Sequence, residues 1–134
     1  MGLTMRPLVA LVVGAIASVA AAAGPADSCR FSGVPSVICA TPQAAATVYR
    51  QVGRRWAMVD DENNRMLLRQ SACTVIRLKE FDRLPVYPMT GPVKVATPLG
   101  LTMVQRVTLP DVPGLPAAMY AASGYLTHPC DAAH

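Results

Sequence analysis

Histidine is almost missing from this chain. Only His128 and His134 occur, both in the tail HPCDAAH, so a Ser-His-Asp or Cys-His site would have to be assembled from the least anchored end of the sequence. Also missing are CxxC, CxxCH and HExxH motifs, a phosphate-cradling glycine loop and a dinucleotide fingerprint. Carboxylates are few, and their one cluster, Asp60, Asp61 and Glu62, is contiguous. Adjacent residues do not flank a glycosidic bond from two sides, and a helix N-terminus explains them more simply. These absences remove the usual hydrolytic, redox and nucleotide chemistries, and the expectation is no catalytic residue, no cofactor and no metal. His128, Cys130 and His134 do offer imidazole and thiol donors to zinc or copper, a set that fails if Cys130 is in a disulfide.

What is present begins with a leader. Met1 to Arg6 is a short positive head, and residues 7–23, PLVALVVGAIASVAAAA, form an uncharged run ending in small residues. That is the layout of a secretory signal peptide, with cleavage after Ala23 or a few residues either side. An uncleaved anchor is the alternative, because 17 residues is at the lower edge of what spans a bilayer; Ala21 and Ala23 favour cleavage. The expected location is exported, periplasmic or secreted, with membrane contact only through the leader if it is kept. Removing 23 of 134 residues leaves one domain. Without Arg6 the remainder carries eleven basic and eight acidic residues, a mild +3. So small a balance gives no reason to expect nucleic acid.

All four cysteines, Cys29, Cys39, Cys73 and Cys130, follow the leader, and an even count in an exported chain predicts two disulfides. Three pairings are possible. Cys39 with Cys73 and Cys29 with Cys130 is favoured; Cys29 with Cys39 and Cys73 with Cys130 stays open.

Between Cys39 and Cys73 the sequence reads as helical. Thr41 is a good N-cap, Pro42 suits a first turn, Ala45, Val48, Tyr49, Val52 and Trp56 fall on one face, and Gly53 can end the helix. A second helix starts at Asp60 or Asp61 and uses Met66, Leu67 and Leu68 as its apolar side, with a connection near residues 54–60. Trp56 and Tyr49 read as core, and Met58, Met66, Met89, Met103 and Met119 as scattered core filler. Beyond Cys73 the texture changes. Eight of the twelve prolines lie from residue 85 onward, which rules out interior helix and favours short strands. The expected strands are Thr74–Leu78, Leu84–Tyr87, Val93–Thr97, Leu101–Leu109 and Ala117–Ala121, with PDVPG at 110–114 as a loop. The expected organisation is signal peptide 1–23, N-terminal extension 24–38, helical segment 39–72, β segment 73–127 and tail 128–134.

The ending AMYAASGYL, at 118–126, resembles the last strand and turn of bacterial SH3-like domains, and LPVYP and VKVAT stand ahead of it. The frame from Cys39 to residue 126 is similar to small exported bacterial proteins with a cysteine-stapled helical segment before an SH3-like barrel. Tyr120 stands where such domains usually carry tryptophan, and GLTMVQRVTLPDVPG is longer than their usual connection. The resemblance implies an α+β fold, two short helices packed on a small antiparallel SH3-like barrel, disulfide-stapled. It implies no functional residue.

One feature points to binding. Arg50 and Arg54 are four apart on the first helix, Arg65 and Arg69 four apart on the second, and Arg55 lies between them. If the helices pack antiparallel these make one basic face for carboxylates or phosphates of an envelope protein or an anionic cell-wall polymer. Otherwise they are a solvated surface paired with the acidic cluster. Two functions follow: a non-catalytic envelope binding module, or an inhibitor or immunity-type protein that blocks a periplasmic or extracellular enzyme, with Asp111 in the PDVPG loop as its only candidate tip.

Overall fold

A computed structural model describes residues 28–130. The leader read over residues 1–23 and His134 lie outside the described residues.

Local capping chemistry sets the first helix, α1 (Pro42–Val52). Thr41 Oγ1 accepts the Ala44 N–H at 3.1 Å, and Pro42 fills the first turn, where no N–H is needed. Ala45, Ala46, Val48 and Val52 are its buried stripe, and Gly53, at φ +55°, ends it by donating its N–H to Tyr49 O. A short helix α2 (Trp56–Val59) follows, then α3 (Glu62–Gln70). Asp61 caps α3 by accepting the Asn64 N–H at 3.1 Å, so the acidic cluster is a helix start. Buried Asn64 joins the helices: its Nδ2 donates to Met58 O at 2.8 Å, and its Oδ1 accepts from Gln51 Nε2 at 3.5 Å. Helix α2 was not expected, and Trp56, read as core, opens it with 40% of its surface exposed.

The sheet has six antiparallel strands. Strand β1 (Ser36–Cys39) is buried along its whole length, pairing with β2 (Cys73–Ile76) on one side and β6 (Met119–Ala122) on the other. Next to β6 lies β5 (Gly100–Thr108), whose far edge carries both β3 (Tyr87–Pro88) and β4 (Val93–Thr97). Pro88 and Pro92 break what would be one strand into these two pieces. Among the described residues β2 lies at one edge of the sheet and the β3/β4 pair at the other. The α+β class and the staples hold, but the sheet is open where a closed barrel was expected, and three helices stand where two were expected. The segment read as an N-terminal extension supplies the internal strand β1.

Helix α1 packs across β1, β4, β5 and β6. The core closes around Tyr125, which is 1% exposed. Its Oη donates to Gly53 O at 2.7 Å, and its ring meets Tyr49 edge-on at 4.9 Å. A Cβ on Gly124 would run into the Tyr49 ring, so the Gly-Tyr pair near the chain end is dictated by contact with α1. Phe31 bridges to Leu126 and Cys29 to Val86, bringing the N-terminal segment into the same core.

The disulfides are Cys39–Cys73 and Cys29–Cys130. Cys39 and Cys73 are direct cross-strand partners of β1 and β2. Two such bonds belong in an oxidising, non-cytoplasmic setting. Among the described residues no helix is long and apolar enough to cross a membrane.

Peptide mapping of unreduced protein is expected to return two linked pairs, 39 with 73 and 29 with 130, and no alkylated thiol. Replacing Cys39 and Cys73 together by Ala should lower the unfolding free energy by up to about 4 kcal/mol, the loop-closure value for such a separation. A second expectation concerns Tyr125. Burial pushes its phenol far above the usual range, Tyr49 adds to the rise and Arg54 opposes it. The neutral phenol is therefore favoured by the fold, its contribution is complete below about pH 10, and it declines as pH rises past that value. Tyr125→Phe should cost about 1–2 kcal/mol at neutral pH, from the stranded Gly53 carbonyl, yet lose less stability than wild type between pH 9.5 and 11. Urea melts of both proteins across that range give the comparison, and parallel pH profiles would refute it.

Candidate functional site

The structure separates the five arginines. Arg50 reaches β5: its Nε donates to Thr102 Oγ1 at 2.8 Å and its terminal amine to Leu101 O. Gly100, at φ +130°, leaves the room, since a Cβ there would sit 3.3 Å from the guanidinium carbon. Arg54 donates to Ser32 O at 3.3 Å, above Gly33. Arg54, expected on the first helix, lies past its Gly53 end, so only Arg50 is an α1 residue; both side chains fasten neighbouring backbone to the helical segment. Arg55 is the exposed N-cap residue of α2, with no capping bond from its side chain.

Arg65 and Arg69 belong to a different place. With Leu68 they form one face of α3, at i, i+3 and i+4, while Cys73 and Val75 share one face of β2 and Arg77, one residue past its end, continues the alternation. These six residues line a groove of about 260 Å³. Buried Leu68 and half-buried Cys73 and Val75 make the floor, and three guanidiniums make the rim. Arg77 is held from two sides, by Asp60 Oδ1 at 2.8 Å and by the Trp56 ring, 5.6 Å from its guanidinium carbon. That ion pair is exposed, so it adds little stability; its effect is to aim Arg77 and to hold exposed Trp56 beside it. No carboxylate lines the groove. Planar donors above an apolar floor suit a carboxylate or phosphate attached to something partly apolar. The sequence reading missed Arg77, placing it at the end of a strand candidate. Its signal was the alternation 73, 75, 77, which has meaning only once β2 is paired.

Two larger depressions lie elsewhere. One, of about 600 Å³, is lined by Arg30, Arg83, Thr127 and His128 among others. The other, of about 580 Å³, lies between Pro92, Met103, Gln105 and Pro129. The sulfur of Cys130 is bonded to Cys29, so it is no thiolate donor, and no group of three His, Cys, Asp or Glu converges among the described residues. Asp111 is exposed in the β5–β6 loop. The methionines correct the core-filler reading: Met119 is buried, but Met66, Met89 and Met103 are 49%, 46% and 37% exposed.

No family model, curated protein or solved structure matches the chain.

The division of the arginines has a measurable consequence. Arg50→Ala strands Thr102 Oγ1 and Leu101 O and should lower stability by about 1–2 kcal/mol. Arg65→Ala with Arg69→Ala should stay within about 0.5 kcal/mol of wild type. Urea denaturation of the two variants tests this, and equal effects would contradict the assignment.

Proposed function

We propose that this chain is an exported, non-catalytic binding module of the bacterial envelope that grips an anionic partner in the groove between α3 and β2. The observation that carries the reading is the convergence of Arg65, Arg69 and Arg77 over an apolar floor beside β2, the edge strand among the described residues. The partner is an envelope protein with an acidic segment or an anionic cell-wall polymer. The two disulfides and the leader-like start support export.

Pull-down from envelope extract, with protein and peptidoglycan fractions compared, should capture one partner class. Arg65→Glu with Arg69→Glu should reduce capture at least tenfold while the melting temperature moves by only a few degrees. Half-molar salt should weaken the wild-type contact, since the screening length then falls well below 8 Å. Arg50→Ala, being structural, should leave capture by the folded protein unchanged. Capture that survives charge reversal in the groove would refute the reading.

A further inference from the structure

Among the described residues, five of the eight exposed large apolar side chains, Met89, Val93, Leu99, Leu101 and Met103, fall within residues 89–103. The β4–β5 ladder sets Lys94 opposite Met103 and Ala96 opposite Leu101, and alternation puts these four side chains on one face. Leu99 sits in the turn that joins the strands. Thr102 and Val104, on the other face, are buried, and α1 fastens this hairpin through Arg50 to Thr102 and through Gln43 Nε2 to Ala96 O. The bare face of an antiparallel sheet is normally polar. Here it is apolar, with Leu101 the most exposed large hydrophobic side chain, at 59%.

Charge narrows what can cover it. From Arg83 to Pro110 the chain has no carboxylate and three cations, Arg83, Lys94 and Arg106, of which Lys94 lies on the apolar face. A second copy docked face to face would bring two lysines onto an apolar surface with no acid among residues 83–110 to receive either. A surface that is anionic outside and apolar just beneath answers both features at once.

We infer that the bare face of the β4–β5 hairpin is a peripheral membrane-docking surface for anionic phospholipid. Leu99, Leu101 and Met103 enter the boundary between headgroups and acyl chains, and Lys94 lies among the phosphates. The arginine groove lies at the opposite edge of the sheet.

The test is flotation of the oxidised protein, purified after export with the N-terminus that export leaves, on vesicles of phosphatidylglycerol and phosphatidylcholine in equal parts, against phosphatidylcholine alone. Wild type should float with the anionic vesicles and bind the neutral ones at least tenfold less. Leu101→Glu with Met103→Glu should cut the bound-to-free ratio at least tenfold, and Leu101→Ser with Met103→Ser, which adds no charge, should also reduce it severalfold. Arg65→Ala with Arg69→Ala, which keeps the same N-terminus and reverses no charge, should float within about threefold of wild type. Absence of wild-type flotation, or flotation indifferent to both hairpin variants, would overturn the inference. So would a dimer in sedimentation velocity that Leu101→Glu dissolves, since that outcome makes a second copy the occupant.

Discussion

Helix α1 works as the clamp of this fold, and the clamp depends on how closely it can approach the sheet. Small residues make the approach possible. Ala45 and Ala46 face the sheet from the helix, Ala121 and Ala122 lie in β6, and Gly100 and Gly124 accept Arg50 and Tyr49 directly on their backbones. The last turn of the helix is then locked by the Tyr125 hydroxyl on Gly53 O. One exposed and two internal devices thus serve one end: a guanidinium holds the hairpin, a phenol holds the chain end, and a ring packs on glycine. A side chain added at Gly124 would displace the Tyr49 ring, and one at Gly100 would crowd the Arg50 guanidinium, so each would loosen a contact that holds the helix to the sheet.

An open sheet must protect its edges. At β2 the exposed strand is only four residues long and bears arginine beside it. At the other edge Pro88 and Pro92 interrupt the ladder, and Lys94 interrupts the apolar run. Short length, proline and charge are the usual defences against edge pairing. The same residues shape the two surfaces described above, so edge protection and recognition draw on the same side chains. The disulfides support this arrangement at its weakest points: Cys39–Cys73 joins the edge strand to its internal neighbour, and Cys29–Cys130 ties the N-terminal segment to the tail.

How much of this was legible depends on range. Helix α1 could be read to the residue because its signals, Thr41, Pro42 and Gly53, are local, and strand Val93–Thr97 because Gly-Pro and Pro-Leu-Gly punctuate it. The disulfide pairing was only a preference in the sequence, which left a rival open; the structure has the favoured pairs, each joining the ends of a segment. Strand β1 was invisible: four residues covered on both faces show no alternation, so SVIC gives neither a strand nor a helix period. The arginines failed differently. Spacing set Arg50 and Arg54 on one helix face, but Gly53 ends α1 before Arg54, and spacing does not say that Gly100 and Gly33 leave room for the two guanidiniums. Exposure of Leu101 and Met103 was hidden too, since an apolar strand residue is read as pointing inward unless tertiary contacts show otherwise.

Both proposed surfaces are cationic, so charge alone would not orient the molecule on an anionic bilayer. Electrostatic attraction acts over about 8–10 Å at ordinary salt and would draw either edge toward the lipid. Apolar burial acts only at contact, and it differs between the edges. The groove at β2 keeps its apolar floor beneath three guanidiniums, whereas the hairpin presents Leu99, Leu101 and Met103 with a single lysine among them. At about 25 cal/mol per Å², inserting three partly exposed side chains of this size contributes roughly 1 kcal/mol each. A difference of that order is enough to select the hairpin end. In the proposed reading the bilayer then takes the β4 edge, and the arginine groove is left facing away from it, open to an acidic partner.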